Sequence, residues 1–213
     1  MIVWAIAWRE VRRGWTSGGM LLPIAFFLLV SILFPFAIGP DARLLARVGG
    51  GVVWAAALLA ALLPVERLVA PDVESGVLDQ LAVREVPMAL VAAGKMIGHW
   101  VGFAPPLMLA SVLVAGLLGL SGEVLARVEL GLLIGTPGLA ALGVATAALV
   151  GGLRGAGALA GLVMLPVAVP LLIFGAGSLE GGVGALKLLG AVSLLLVAGG
   201  PFVAGAAIRM GRD

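Results

Sequence analysis

Five of the eleven carboxylates in this chain, Glu66, Asp72, Glu74, Asp79 and Glu85, fall within one stretch of about twenty residues. Acids gathered this way can offer charge and hydrogen-bond acceptors to a partner surface. A second candidate is Gly94-Lys95, which resembles the end of a phosphate loop. That loop needs a glycine five positions before Gly94 and Ser or Thr after Lys95, and the chain has Ala89 and Met96 there. ATP therefore has no site of that kind here. The single histidine, His99, follows four residues after Lys95. No catalytic triad or metal-hydrolase motif is present, and the absence of cysteine removes disulfide and thiolate chemistry. The spacing predicts no catalytic residue, no metal site and no cofactor held by this chain.

The elements that must carry these residues follow from the solvent the chain requires. Of its 213 residues, 62% are hydrophobic and 11% charged, with a mean hydropathy of +1.22. Soluble domains are about half apolar and a quarter charged, so this composition points to a bilayer. Uncharged runs cover 14–40, 48–65, 96–122, 130–153, 155–179 and 188–208. Each reaches the roughly 18–20 residues that a helix needs to cross the hydrocarbon core. Strand-like alternation is absent, so the expected fold is an all-α integral membrane protein with six transmembrane helices. The net charge of +2 rests on few groups and does not indicate nucleic-acid binding.

Lys and Arg set the expected orientation. With a cytoplasmic N-terminus, nine basic residues (Arg9, Arg12, Arg13, Arg67, Arg84, Lys95, Arg154, Arg209 and Arg212) lie inside and four (Arg43, Arg47, Arg127 and Lys187) outside. This matches the positive-inside rule and puts both termini in the cytoplasm. No cleavable signal peptide is evident.

Along the chain, "MIVWAIAWREVRRGW" (1–15) mixes Trp4, Trp8 and Trp15 with Arg9, Glu10, Arg12 and Arg13. That mixture suits a separate helix in the headgroup layer, with "GWTSGG" as the break before the first span. Pro35, Gly39 and Pro40 are expected to close span one, with Asp41, Arg43 and Arg47 at the outer surface, and Pro64 to close span two. The other connections read as short loops at 121–127, 153–157 and 178–184. Gly131/Gly135 and Gly157/Gly161 form GxxxG pairs, and Ser111/Ala115/Gly119 keep the same spacing; such pairs let helices approach closely. Pro105, Pro106, Pro137, Pro166, Pro170 and Pro201 interrupt spans and permit kinks or fixed bends. No carboxylate is expected mid-span.

The acid cluster thus lies between spans two and three, on the cytoplasmic side. Placing one Asp at a bilayer centre costs about 2.5–3.5 kcal/mol, so the segment is aqueous. Val77, Leu78, Leu81 and Val83 sit among the charges, with Val77/Leu81 and Leu78/Leu81 on one face of a short helix. Such a helix either docks a soluble partner or packs its leucines on the protein's own core. Pro87 is expected to begin the next helix, running into span three.

The same stretch carries a resemblance. "ERL" at 66–68, Asp72, "ESGVLDQL" at 74–81, Pro87 and "GKMIGHW" at 94–100 resemble the CcmB family. "FPFAIGP" (34–40), "LLARV" (44–48), "IGTPGLAALG" (134–143) and "LPVAVPLLIF" (165–174) follow in family order, covering most of the chain. The resemblance implies a single ABC-transporter permease domain over residues 1–213, in the bacterial cytoplasmic (inner) membrane, acting in cytochrome c maturation. It also implies a homodimer beside a CcmA-type ATPase, with CcmC and CcmD as membrane partners and the heme chaperone CcmE downstream. An elbow helix at 1–15 and a coupling segment at 65–86 are expected on the same grounds.

On this reading heme is the substrate and ATP is hydrolysed on the separate ATPase; the chain itself is not an enzyme. Glu66, Arg67, Asp72, Glu74 and Asp79 would face the ATPase, Val77, Leu78 and Leu81 would fill its groove, and Gly76 would permit the turn. Pro87, Lys95, His99 and Trp100 would transmit the stroke where span three enters the membrane. For His99, anchoring or coupling is favoured over axial ligation of heme. The stroke either moves heme across the bilayer or releases heme-loaded chaperone. The rival readings are a membrane scaffold without transport and a permease for lipid or drug.

Overall fold

The computed structural model describes residues 1–39, 41–151, 156–180 and 183–211, with backbone alone at 156–158. Pro40, Arg154, Arg212 and residues 153–155 of an expected loop lie outside the described residues. Gly157, of one GxxxG pair, is described in its backbone only. Among the described residues there is no strand.

Helix α1 (Ile2–Thr16) is separated from α2 (Leu21–Ile38) by a turn at 17–20. Gly18 occupies that turn with φ of +67°, a conformation that favours glycine. Helix α3 (Ala42–Leu62) starts at Asp41, whose carboxylate accepts hydrogen bonds from the backbone N–H of Arg43 and Leu44, a side-chain cap. Two short helices follow, α4 (Val65–Glu74) and α5 (Val77–Val83). Four long helices complete the chain: α6 (Met88–Leu117), α7 (Gly122–Val150), α8 (Ala156–Gly177) and α9 (Val183–Met210).

Six helical stretches are long and apolar enough to cross a membrane, as the charge map predicts. Helices α3, α6, α7 and α9 begin before the uncharged runs do, whereas α2 and α8 lie within theirs. At about 1.5 Å per residue, the 30 residues of α6 extend about 45 Å, against a hydrocarbon core of about 30 Å. Residues 122–127, expected in a loop, are already helical, with Ser121 accepting from the Val124 N–H as cap. Glu129 also lies within α7, bonded to the buried Ser111 of α6. The interruptions expected at proline do not break the helices: Pro105, Pro106, Pro137, Pro166, Pro170 and Pro201 all lie inside them.

Helix α7 is the axis of the bundle. It touches α3, α4, α6, α8 and α9, and every residue from Gly138 to Ala148 is buried. By contrast, α2 buries only Pro23, Phe27 and Ser31, one stripe at four-residue spacing, and turns Leu29, Leu33 and Phe36 outward. Lipid accepts that face at no cost. Close approach of helices rests on small residues. A Cβ at Gly131, Gly135 or Gly175 would lie 3.1, 2.7 or 2.5 Å from the indole of Trp54. Three glycines of α7 and α8 thus form a socket for one buried side chain of α3. The Gly131/Gly135 pair therefore packs helices within the chain.

Candidate functional site: a buried charge network beneath a hairpin

Helix α1 is two-faced. Ile6, Ala7 and Glu10 are buried, whereas Trp4, Trp8 and Trp15 are 69%, 70% and 49% exposed. The inner face lies on α6, and glycines at four-residue spacing make room for it. A Cβ at Gly94 would lie 2.9 Å from the Val3 carbonyl oxygen, and one at Gly98 2.6 Å from the Ala7 carbonyl oxygen. At Gly102 it would lie 2.8 Å from Met20 Cε. Close packing along Gly94, Gly98 and Gly102 brings Glu10 down onto the next turn of α6.

There Glu10 meets Lys95 and Asp72. These three ionisable side chains are 6%, 1% and 2% exposed. Lys95 Nζ ion-pairs with Asp72, donates to Glu10 Oε1 at 3.2 Å and donates to the Leu68 carbonyl at 2.8 Å. All three ammonium protons are therefore used. Arg13 donates from Nη1 to Asp72 Oδ1 and from Nη2 to Glu10 Oε2, both at 2.8 Å. Arg9 Nη2 donates to Asp72 Oδ2 and, at 3.0 Å, to Glu10 Oε1. Burial alone would lower the pKa of Arg9, but Asp72 and Glu10 outweigh it and raise the pKa above the usual guanidinium value. Removing ions from water costs several kcal/mol each, and only a fully bonded arrangement repays it. Every carboxylate oxygen in this cluster is bonded to a cation. The network ties α1, α4 and α6 at one point.

A cavity of about 300 Å³ opens beside it, lined by Glu10, Arg13, Arg67, Pro71 and His99 among others. His99 is 1% exposed and stacks on Phe103, with ring centroids 5.6 Å apart. Its Nδ1 is buried with no hydrogen-bond partner among the described residues. Trp100 donates from Nε1 to Thr136 Oγ1 at 3.1 Å, joining α6 to α7. Lys95 and His99, expected where span three enters the membrane, are thus inside the protein, enclosed by the helices packed on α6. Since Nδ1 makes no bond, His99→Leu is expected to change stability by no more than about 1 kcal/mol. Thermal unfolding of the purified protein measures this.

Above the network, α4 and α5 form a hairpin. Gly76 turns the chain with φ of +70°, and Ser75 Oγ donates to the Pro71 carbonyl at 2.6 Å. Glu66, Arg67, Glu74 and Asp79 are exposed, and Val83 is 84% exposed. Two of the residues expected on the docking surface are not there. Asp72 is sequestered by Arg9, Arg13 and Lys95, and Leu78 is 2% exposed within the apolar core. Val77 is half-buried, and Leu81 packs against the core. The leucine face of α5 serves the protein's own packing. Pro87 caps α6, which runs unbroken from Met88 through Lys95, His99 and Trp100. Among the described residues, no group of three or more His, Asp or Glu is placed to hold a metal ion.

Comparison with known proteins supplies the deciding observation: the family model for the CcmB protein matches residues 1–211. The chain belongs to the CcmB family. The Heme exporter protein B of Rhodobacter capsulatus is 43% identical over 97% of this chain and 98% of its own length. Those of Haemophilus influenzae, at 40% over the whole of both chains, and Escherichia coli K12, at 38% over 99% of each, agree. This CcmB-family chain is a multi-pass membrane protein.

Sequence reading missed the part played by Glu10, and the pairing of Arg9 and Arg13 with Asp72. One signal was visible. Glu10 sits six residues after Trp4 and five before Trp15, opposite the indoles on a helical wheel. The run Gly94, Gly98, Gly102 also carried the four-residue spacing that marks close packing.

Proposed function

We propose that this CcmB-family chain is the membrane permease subunit of an ATP-driven heme exporter serving cytochrome c maturation in the bacterial inner membrane. The relatives' name, Heme exporter protein B, supports the substrate. The observation that carries the coupling reading is continuity: an exposed acidic hairpin is joined through Asp72 and Lys95 to a 30-residue helix. A separate ATPase subunit grips Glu66, Glu74 and Asp79 from the cytoplasm. Displacement of α4 pulls on the buried ion network, and Lys95 passes the pull to α6. Two copies of the chain, each with its own hairpin, serve the two halves of an ATPase dimer, and CcmC- and CcmD-type subunits complete the assembly. The output is heme translocation or release of heme-loaded chaperone.

The test is copurification. Glu74→Lys with Asp79→Lys is expected to abolish recovery of the ATPase subunit while membrane insertion is unchanged, because both acids are exposed. Undiminished recovery sinks the docking reading. ATP-dependent heme flux in vesicles holding the whole complex then separates an exporter from a scaffold.

A further inference from the structure

We propose that α1 carries a binding site for the phosphate of an anionic membrane phospholipid, centred on Arg12. Ala5, Trp8, Arg9, Arg12, Arg13 and Thr16 line one shallow groove of about 380 Å³ along the helix. Their spacing puts them on a single stripe of the helix. Three guanidinium groups are concentrated there. Arg9 spends Nη2, and Arg13 both Nη atoms, on Asp72 and Glu10, yet their side chains keep 38% and 33% exposure. Arg12 is exposed and, among the described residues, has no carboxylate within ion-pair distance.

The charge balance decides the sign of the ligand. Arg9, Arg13 and Lys95 set three positive charges against Glu10 and Asp72. The network therefore retains one net positive charge, and Arg12 adds a second. A groove so charged takes an anion, and guanidinium groups suit phosphate oxygens.

The neighbouring side chains choose between a lipid and a free anion. Trp4, Trp8 and Trp15 project from the same side of α1 and are all exposed. Indoles prefer the headgroup layer, where the ring is in apolar surroundings and the N–H is wet. With them seated there, Arg12 lies at phosphate depth. The groove is open, so a soluble phosphate would gain little from enclosure. A lipid is already concentrated beside the groove. The site thus takes a phosphodiester headgroup, its acyl chains running down past α1.

The geometry also links this outer site to the inner one. The two guanidinium groups that hold Asp72, those of Arg9 and Arg13, also line the groove. Membrane composition therefore bears on how firmly α1 and α4 are clamped.

The experiment uses the full-length chain taken from membranes of equal parts phosphatidylcholine and phosphatidylglycerol, with retained lipid counted by native mass spectrometry. The wild type is expected to retain phosphatidylglycerol about fivefold over phosphatidylcholine, the ratio one added surface cation gives. Arg12→Gln should bring the ratio near one, and Arg12→Lys should keep most of the preference. Arg12 lies outside the ion network, so both variants should fold. Equal retention of the two lipids by the wild type, or full preference in Arg12→Gln, overturns the proposal. Displacement of phosphatidylglycerol by millimolar glycerol phosphate would assign the groove to a free phosphate instead. Displacement by an acidic peptide would assign it to a protein partner; either result overturns the lipid site.

Discussion

Asp72→Leu is expected to release α1 from the bundle and to destabilise the protein by about 3–5 kcal/mol, the usual cost of orphaning a buried ionic partner. The reason lies in the count of charges. The wild-type cluster sets Arg9, Arg13 and Lys95 against Glu10 and Asp72. Without Asp72, three cations face Glu10 alone, and Lys95, 1% exposed, cannot reach water without moving α1. Without Lys95, two guanidinium groups still balance two carboxylates. Lys95→Met should therefore cost less than Asp72→Leu, and the double substitution should recover part of the larger loss. Thermal unfolding gives the order, and hydrogen exchange over residues 2–16 reports whether α1 has detached. Equal losses from the two single substitutions would show that the cluster is not read by its charge balance.

Gly98→Val should have an effect of similar size by a different route. A Cβ at Gly98 would sit 2.6 Å from the Ala7 carbonyl oxygen and 2.6 Å from Glu10 Cβ. The first of these contacts is with backbone, so no side-chain rotation relieves it, and α1 must move away from α6. That movement separates Glu10 from Lys95 as well, combining a steric cost of about 1–3 kcal/mol with broken ion pairs. Gly116, on the same helix with nothing within 4 Å, supplies the control. Gly116→Ala should be neutral or stabilising by up to about 1 kcal/mol through helix propensity. Protease sensitivity at Arg12 and Arg13 distinguishes the two: it should rise sharply in Gly98→Val and stay at the wild-type level in Gly116→Ala.

The fold was legible because lipid imposes a simple rule: a stretch without charge, long enough to cross, becomes a helix. Helix ends were less legible. Arg43 and Arg47 lie inside α3, and Glu123, Arg127 and Glu129 lie inside α7. Helices longer than the hydrocarbon core carry charge past its edge, so charge marks the limit of lipid and not the limit of the helix. Within the acid cluster, composition showed that the segment is aqueous but could not separate Asp72 from its neighbours. Two of the cations that hold Asp72, Arg13 and Arg9, stand 59 and 63 residues earlier in the chain. Pairing over that distance is decided by how α1 lies on α6, which local spacing does not encode. The leucines of α5 were ambiguous for a related reason: a helical face of seven residues looks the same whether it meets a partner or the protein's own interior.

The Trp54 socket bears on how any movement begun at the α4–α5 hairpin must travel. An indole wedged against Gly131, Gly135 and Gly175 leaves no slack for α3 to slide along α7 or α8. On the coupling proposed above, these helices would swing about that indole as a lever swings about its fulcrum, a push at one end of the bundle emerging as a tilt at the other.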